Sequence, residues 1–219
     1  MNNNVYENNM RFLPLLKFLE KNKKIIISIF LIVVFIIGYT IFNNQLTKKN
    51  NAEASKIYTS FFNEISSENP DYELVEKTLN NLLETYGTSG YAQIALLNKA
   101  SLDARNNNFE QSLNNFQKLV SITDGVNGNK IYNKIARVSA ARILASEKKY
   151  DEALDMIAKF SSESTNGYIH ELTGDILLKQ NKTDLSLAQY NKALEKYNDE
   201  TSKSIISMKI ANIGNKVDE

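Results

Sequence analysis

The stretch Gly174–Asp199, GDILLKQNKTDLSLAQYNKALEKYND, decides the fold. Its apolar residues fall at helical spacing on both sides of a break near Asn181, which predicts helices over about 167–180 and 183–197. Small residues, Gly174 and Ser186, stand where two antiparallel helices would cross, and Tyr190 is placed to fill the seam between them. The same layout recurs upstream. Lys148–Phe160, KKYDEALDMIAKF, superimposes on Asn181–Ala193, NKTDLSLAQYNKA, at a shift of 33 residues. Ala153 then matches Ser186, Ile157 matches Tyr190, and Ala141 matches Gly174. An earlier unit, NNNFEQSLNNFQKL, aligns at a shift of 41, with Phe109, Ser112 and Phe116 in the places of Tyr150, Ala153 and Ile157. The longer shift reflects an inserted loop around Gly125–Gly128.

A two-helix unit with a period of about 34 residues is the signature of the tetratricopeptide repeat. One hairpin of this kind leaves an apolar face uncovered, so neighbours must stack to bury it. The terminal unit departs from the repeat pattern at Asn198, where a Pro is expected.

Outward from these units the helical reading continues. Ala54, Ile57, Tyr58, Phe61, Phe62 and Ile65 share one face of a helix. Asn69-Pro70 reads as N-cap and first turn of the next helix, which carries Leu74, Val75, Leu79, Leu82, Leu83 and Tyr86. Gly87 and Gly90 precede a helix from about Ser89 to Asn106, and Asn108 with Gln111 has the spacing of a capping box. Further helices are expected at about 130–147, 149–160 and 201–213. No strand-like alternation competes. Eight Gly and two Pro are too few for a turn-rich β-sandwich, so the class is all-α.

Ile25–Phe42, IIISIFLIVVFIIGYTIF, is 18 residues without a charge. As a helix it would reach about 27 Å, close to the roughly 30 Å of a bilayer core. A cleaved signal peptide fits less well than an uncleaved anchor. The apolar run is long, and Tyr39, Ile41 and Phe42 crowd the site where small residues would be needed. Arg11, Lys17, Lys21, Lys23 and Lys24 precede the span, whereas Lys48, Lys49 and Lys56 follow it. The positive-inside rule places the N-terminus in the cytoplasm. The expected organisation is a cytoplasmic tail over 1–24, a transmembrane helix over 25–42 and, in a bacterium, a periplasmic helical-repeat domain over 43–219. Net charge divides accordingly, from +1 for the chain to +3 for residues 1–24 and −2 for the part beyond the span.

End to end, the chain resembles the ancillary SecYEG translocon subunit family (YfgM-like proteins) of bacterial inner membranes. The resemblance is carried by VYEN at Val5–Asn8, FLEKNKK before the span, AEASKIYTSF, YAQIALLNKASLDARNNNFEQSL, IARVSAARILASEKKYDEALDMI and the closing SMKIANI. It implies a single-pass inner-membrane protein with a periplasmic tetratricopeptide-like domain. Such a protein would associate with the SecYEG translocon and a membrane-anchored prolyl-isomerase-like chaperone, assisting newly translocated polypeptides. A membrane-anchored helical-repeat scaffold for a different envelope assembly or secretion complex is the other reading of the same layout.

Chemistry is hard to find. No Cys means no thiol nucleophile, disulfide or Cys-ligated metal. The lone His170 has no partners at ligand spacing and reads as a polar or packing residue. Asp151, Glu152 and Asp155 sit in and near a helix first turn, where the dipole favours negative charge. Phosphate-binding and nucleophile-elbow motifs are absent, and near-neutral charge argues against a nucleic-acid partner. No catalytic residue, cofactor or metal is expected. The first helix of each pair should instead line a recognition face, and repeat position assigns Leu97, Arg105, Val138, Arg142, Tyr168, Glu171, Asp175 and Lys179 to it. That mixture suits weak contact with extended or incompletely folded polypeptide.

Overall fold

A computed structural model describes residues 14, 17–125, 128–161 and 166–217. The leader motif at Val5–Asn8, Arg11 and the centre of the Gly125–Gly128 loop lie outside the described residues. The described secondary structure is helical throughout. Two compact units meet between Glu53 and Ala54.

The helix α1, Lys23–Ile65, is longer than the anchor alone and continues without a break into the first helix expected of the repeat domain. No Gly-Pro pair or cap interrupts Asn43–Glu53, so nothing in that polar stretch stops the backbone ladder. Within the first unit, the apolar side chains of Ile25–Phe42 point outward on every side, Phe35 being 75% exposed. This helix is long and apolar enough to cross a membrane.

The second unit contains the end of α1 and the helices α2 (Tyr72–Tyr86), α3 (Gly90–Arg105), α4 (Phe109–Thr123), α5 (Lys130–Ser146), α6 (Tyr150–Ser161), α7 (Gly167–Lys179), α8 (Thr183–Lys196) and α9 (Glu200–Val217). Each helix packs on its chain neighbour, and α3, α5 and α7 also touch in series. They therefore form one row, with α4, α6 and α8 behind it. Ala54 and Phe61 of α1 join Val75, Leu79 and Leu82 of α2 and Leu96 of α3 in the first core cluster. Further clusters follow between α5, α6 and α7 and between α8 and α9.

Turns and caps alternate with the hairpins. The turns inside α3–α4, α5–α6 and α7–α8 each hold one non-glycine residue in the left-handed region: Asn107 at φ 61°, Lys148 at φ 63° and Asn181 at φ 60°. The next residue in each turn donates its N–H to a carbonyl five back: Asn108 to Asp103, Lys149 to Leu144 and Lys182 to Leu177. Asn tolerates this conformation, whereas Lys148 is held there at a cost of about 1 kcal/mol. The turns recur at 41 and 33 residues, the same shifts that superimpose the sequence units.

Those turns also explain why the Asn108–Gln111 capping box does not form. Asn108 is pulled to ψ 63° and makes no side-chain cap. Helices that begin a new hairpin are capped conventionally, by Ser89, Asn129 and Asn166 in extended backbone. The start of α2 is also shifted from expectation. Asp71, not Asn69, is the N-cap, and its Oδ1 accepts from Glu73 N and Leu74 N at 3.0 and 3.1 Å. Glu64 Oε1 accepts the Asp71 N–H at 2.8 Å, holding that residue out of the helix.

Helices cross closely where small residues were expected. Ser112 Oγ donates to Ala100 O at 2.7 Å, and Ser186 Oγ donates to Gly174 O at 2.8 Å. In the middle hairpin the fully buried Ala153 takes the serine's place. At Gly174 the approach is tightest, since a Cβ there would lie 2.6 Å from Tyr190 Cε1. The ring cannot swing freely, because Tyr190 Oη donates to Asp175 Oδ1 at 2.7 Å.

Gly174→Ala should therefore lower stability by about 1–3 kcal/mol through overpacking, despite a helix-propensity gain of about 1 kcal/mol. Adding Tyr190→Ile, which recreates the Ala141–Ile157 pair of the preceding hairpin, should cost less than the two changes summed. Thermal melts of the full chain in detergent read both; simple additivity would show that the two residues do not collide.

Candidate functional site

The row of α3, α5 and α7 presents the face that the repeat pattern singles out. Four recesses run along it. A cavity of about 150 Å³ lies between α1 and α3, and one of about 430 Å³ lies among α3, α4 and α5. The next, about 330 Å³, lies between α5 and α7; the last, about 480 Å³, lies where α7, α8 and α9 meet. Neighbouring recesses share walls. Ser101 and Arg105 line the first and second, Arg142 the second and third, and Asp175 and Leu178 the third and fourth.

The eight residues assigned to this face fall into three groups. Leu97 and Val138 are half-buried and pack against the core clusters, so they shape the wall. Arg105, Arg142, Lys179 and Tyr168 are exposed, the first three beside recesses. Glu171 and Asp175 are held by neighbours. Lys209 Nζ of α9 lies 2.7 Å from Glu171 Oε1 and 2.7 Å from Asp175 Oδ1. Tyr197 Oη donates to Glu171 Oε2 at 2.5 Å, and Tyr190 Oη donates to Asp175. Two carboxylates of the expected face are thus bridged by one ammonium within the domain.

Lys209 and Tyr197 had no sequence signal in the repeat comparison, because Tyr197, just after α8, and Lys209, on α9, both lie beyond the superimposed Asn181–Ala193. A second buried ion cluster sits in α3. Lys99 is 4% exposed and Asp103 is 3% exposed. Lys99 Nζ reaches both Asp103 carboxylate oxygens at 2.8 Å and Glu76 Oε1 of α2 at 2.6 Å. Asn115 Nδ2 of α4 donates to Asp103 Oδ2 at 3.1 Å, so one cluster ties three helices. The i,i+4 Lys–Asp spacing was its only sequence trace.

Burial opposes the charge of Lys99, but the Asp103 and Glu76 carboxylates outweigh it and raise the ammonium's pKa. Lys209 follows the same logic, burial being outweighed by Asp175 and Glu171. Burial first, then the accepting carboxylates, push the Tyr190 and Tyr197 phenols up. At the exposed α4–α5 loop, Lys159 and Arg137 draw the Asp124 carboxyl below its usual range. His170 is buried, with Nδ1 2.8 Å from Gln189 Oε1. That hydrogen bond joins α7 to α8. Among the described residues no group of three or more His, Cys, Asp or Glu is gathered as metal ligands.

Alkaline pH supplies a test of these networks. Each of the two lysines and two tyrosines holds its proton more tightly folded than unfolded, where their values are 10.5 and 10.0. Their stabilisation is therefore complete below about pH 10 and is lost as pH rises through the raised folded values. The urea midpoint should fall steeply above about pH 10, and Lys209→Met with Tyr197→Phe should flatten that fall. An unchanged alkaline slope in the variant would remove α9 from the network.

Similarity to known proteins covers nearly the same extent of chain. A family model for a tetratricopeptide repeat-like domain matches residues 17–215. The chain is 24% identical over 178 residues to an ancillary SecYEG translocon subunit of Neisseria gonorrhoeae, covering 80% of this chain and 81% of that relative. It is 25% identical over 202 residues to an ancillary SecYEG translocon subunit of Buchnera aphidicola, covering 89% and 98% respectively.

Proposed function

We propose, from the premise that this chain belongs to the tetratricopeptide repeat-like family, that it is a non-enzymatic ancillary subunit of the SecYEG translocon. In this reading residues 25–42 span the inner membrane, the basic tail 1–24 stays in the cytoplasm, and residues 43–219 form a periplasmic adaptor domain. One observation carries it. A helix long enough and apolar enough to cross a membrane runs into a stack of helical hairpins with an open recognition face. The family-model match over residues 17–215 takes in that layout, and two relatives aligned over 80% and 89% of the chain bear the translocon-subunit name.

The physical role follows from the tether. An anchored domain meets whatever emerges nearby at an effective concentration that linker length sets, of order millimolar for short linkers. Weak contacts then suffice for transient holding of newly translocated polypeptide, or for recruiting a membrane-anchored prolyl-isomerase-like chaperone. The face itself supports binding over catalysis. Its carboxylates Glu171 and Asp175 are tied into a structural ion pair with Lys209.

Purification in mild detergent should bring down SecYEG together with the anchored chaperone. Enrichment of another envelope complex without SecYEG would sink the reading. Topology is checked separately. Protease added to spheroplasts should digest the chain beyond Asn43, whereas protection of that part would mean the opposite orientation.

A further inference from the structure

The face of α3, α5 and α7 has a charge sign that its composition conceals. Arg105, Arg142 and Lys179 stand exposed beside the second and third recesses with no ion pair or hydrogen bond to any described residue. Several carboxylates of the domain have cationic partners of their own. Glu171 and Asp175 share the single ammonium of Lys209, Asp103 is buried with Lys99, and Glu147 is paired with Lys149, while Asp151 accepts from the neutral Gln180 amide and keeps its charge. Beside the cations the recesses combine apolar walls with a few polar groups. Phe109, Phe116 and Ile143, with three serines, line the one of about 430 Å³, and Leu172, Ile176 and Leu178, with Asp175, line the one of about 330 Å³.

Cationic rims over apolar floors define a partner. Packed helices lie about 8–10 Å apart, and an extended chain advances about 3.3 Å per residue. About three residues therefore carry a bound strand from one recess to the next. We infer that this face takes an extended segment of another polypeptide with large apolar residues about every third position and carboxylates between them. The inference rests on the adaptor reading and adds the chemistry of the client. Apolar side chains supply contact area in the recesses, and the carboxylates meet Arg105, Arg142 and Lys179, which supplies selectivity and salt sensitivity.

The test uses the full chain in detergent micelles and fluorescence anisotropy. One labelled 12-residue peptide has Leu or Phe at every third position and Asp or Glu between. A second replaces the acids by Lys, and a third replaces the apolar residues by Ser. The first should bind at least about tenfold more tightly than either control, and more weakly as NaCl rises from about 0.05 to about 0.5 M. Arg105→Glu with Arg142→Glu should lower its affinity about tenfold or more. Should that pair shift the melting temperature, Arg105→Gln with Arg142→Gln should still weaken binding severalfold. Equal binding of the Lys peptide, equal binding of a 12-nucleotide oligothymidylate, no binding of any probe, or unchanged affinity in both variant pairs would each overturn the inference. Co-purification with SecYEG reports separately. If it is lost while the peptide preference holds, the translocon reading falls and the face's preference for an acidic, apolar strand stands; if it holds while the preference is absent, only the client chemistry falls.

Discussion

The domain depends on how closely the two helices of a hairpin can approach at their crossing. Ala100 against Ser112, Ala141 against Ala153 and Gly174 against Ser186 are the three crossings, and all six residues are fully buried or nearly so. Close approach leaves no room for water, so any polar atom placed there must find a partner. Both serines do, by donating to the carbonyl of the small residue opposite. The left-handed turn residues follow from the same constraint, because a short connection is what holds two helices in register at a close crossing. Side chains on the far sides of those helices are then free to build the recesses, whose spacing the crossings set.

Much of this was legible because hairpin contacts are local and repeated. The superposition at shifts of 33 and 41 residues locates the small positions, the seam-filling Phe116, Ile157 and Tyr190, and the outward face of each first helix. What the pattern missed depends on contacts between units. Asn69 and Asp71 are both good caps by residue type, and only the Glu64 carboxylate, reaching from α1 to the Asp71 N–H, decides between them. Asn108 has the right spacing for a capping box, but the bond from its own N–H to Asp103 O fixes the backbone in a shape that prevents it. Repeat position alone assigned eight residues to the face, and it could not say that Glu171 and Asp175 would pair with Lys209, which belongs to a helix with no counterpart among the aligned units.

That pairing makes α9 more than a lid on the last core. Ile206 and Ile213 bury themselves against α8, while Lys209 reaches past them to α7 and lies 5.7 Å from the centroid of the Tyr190 ring. One ammonium therefore locks the end of the stack and offsets one of the two negative charges it bridges. The Lys209 side chain is only 29% exposed, so the contact is screened less by salt than a surface pair would be. Its loss would do two things at once: loosen the terminal helix and leave both carboxylates uncompensated.

The outward side of α9 completes the logic. Thr201, Ser204, Ser207 and Ala211 are exposed there, and so are the apolar Ile205 and Met208. On the α3–α5–α7 row, Arg105, Arg142 and Lys179 line recesses whose walls include Phe109 and Leu178. Exposed cations beside an apolar floor hinder self-association of two such faces, since like charges would be brought together. The same cations favour a partner of opposite sign. On the proposed reading, such a face would exclude its own kind while remaining open to an acidic, apolar strand, and for a domain held at high local density on a membrane that discrimination would matter more than tight binding.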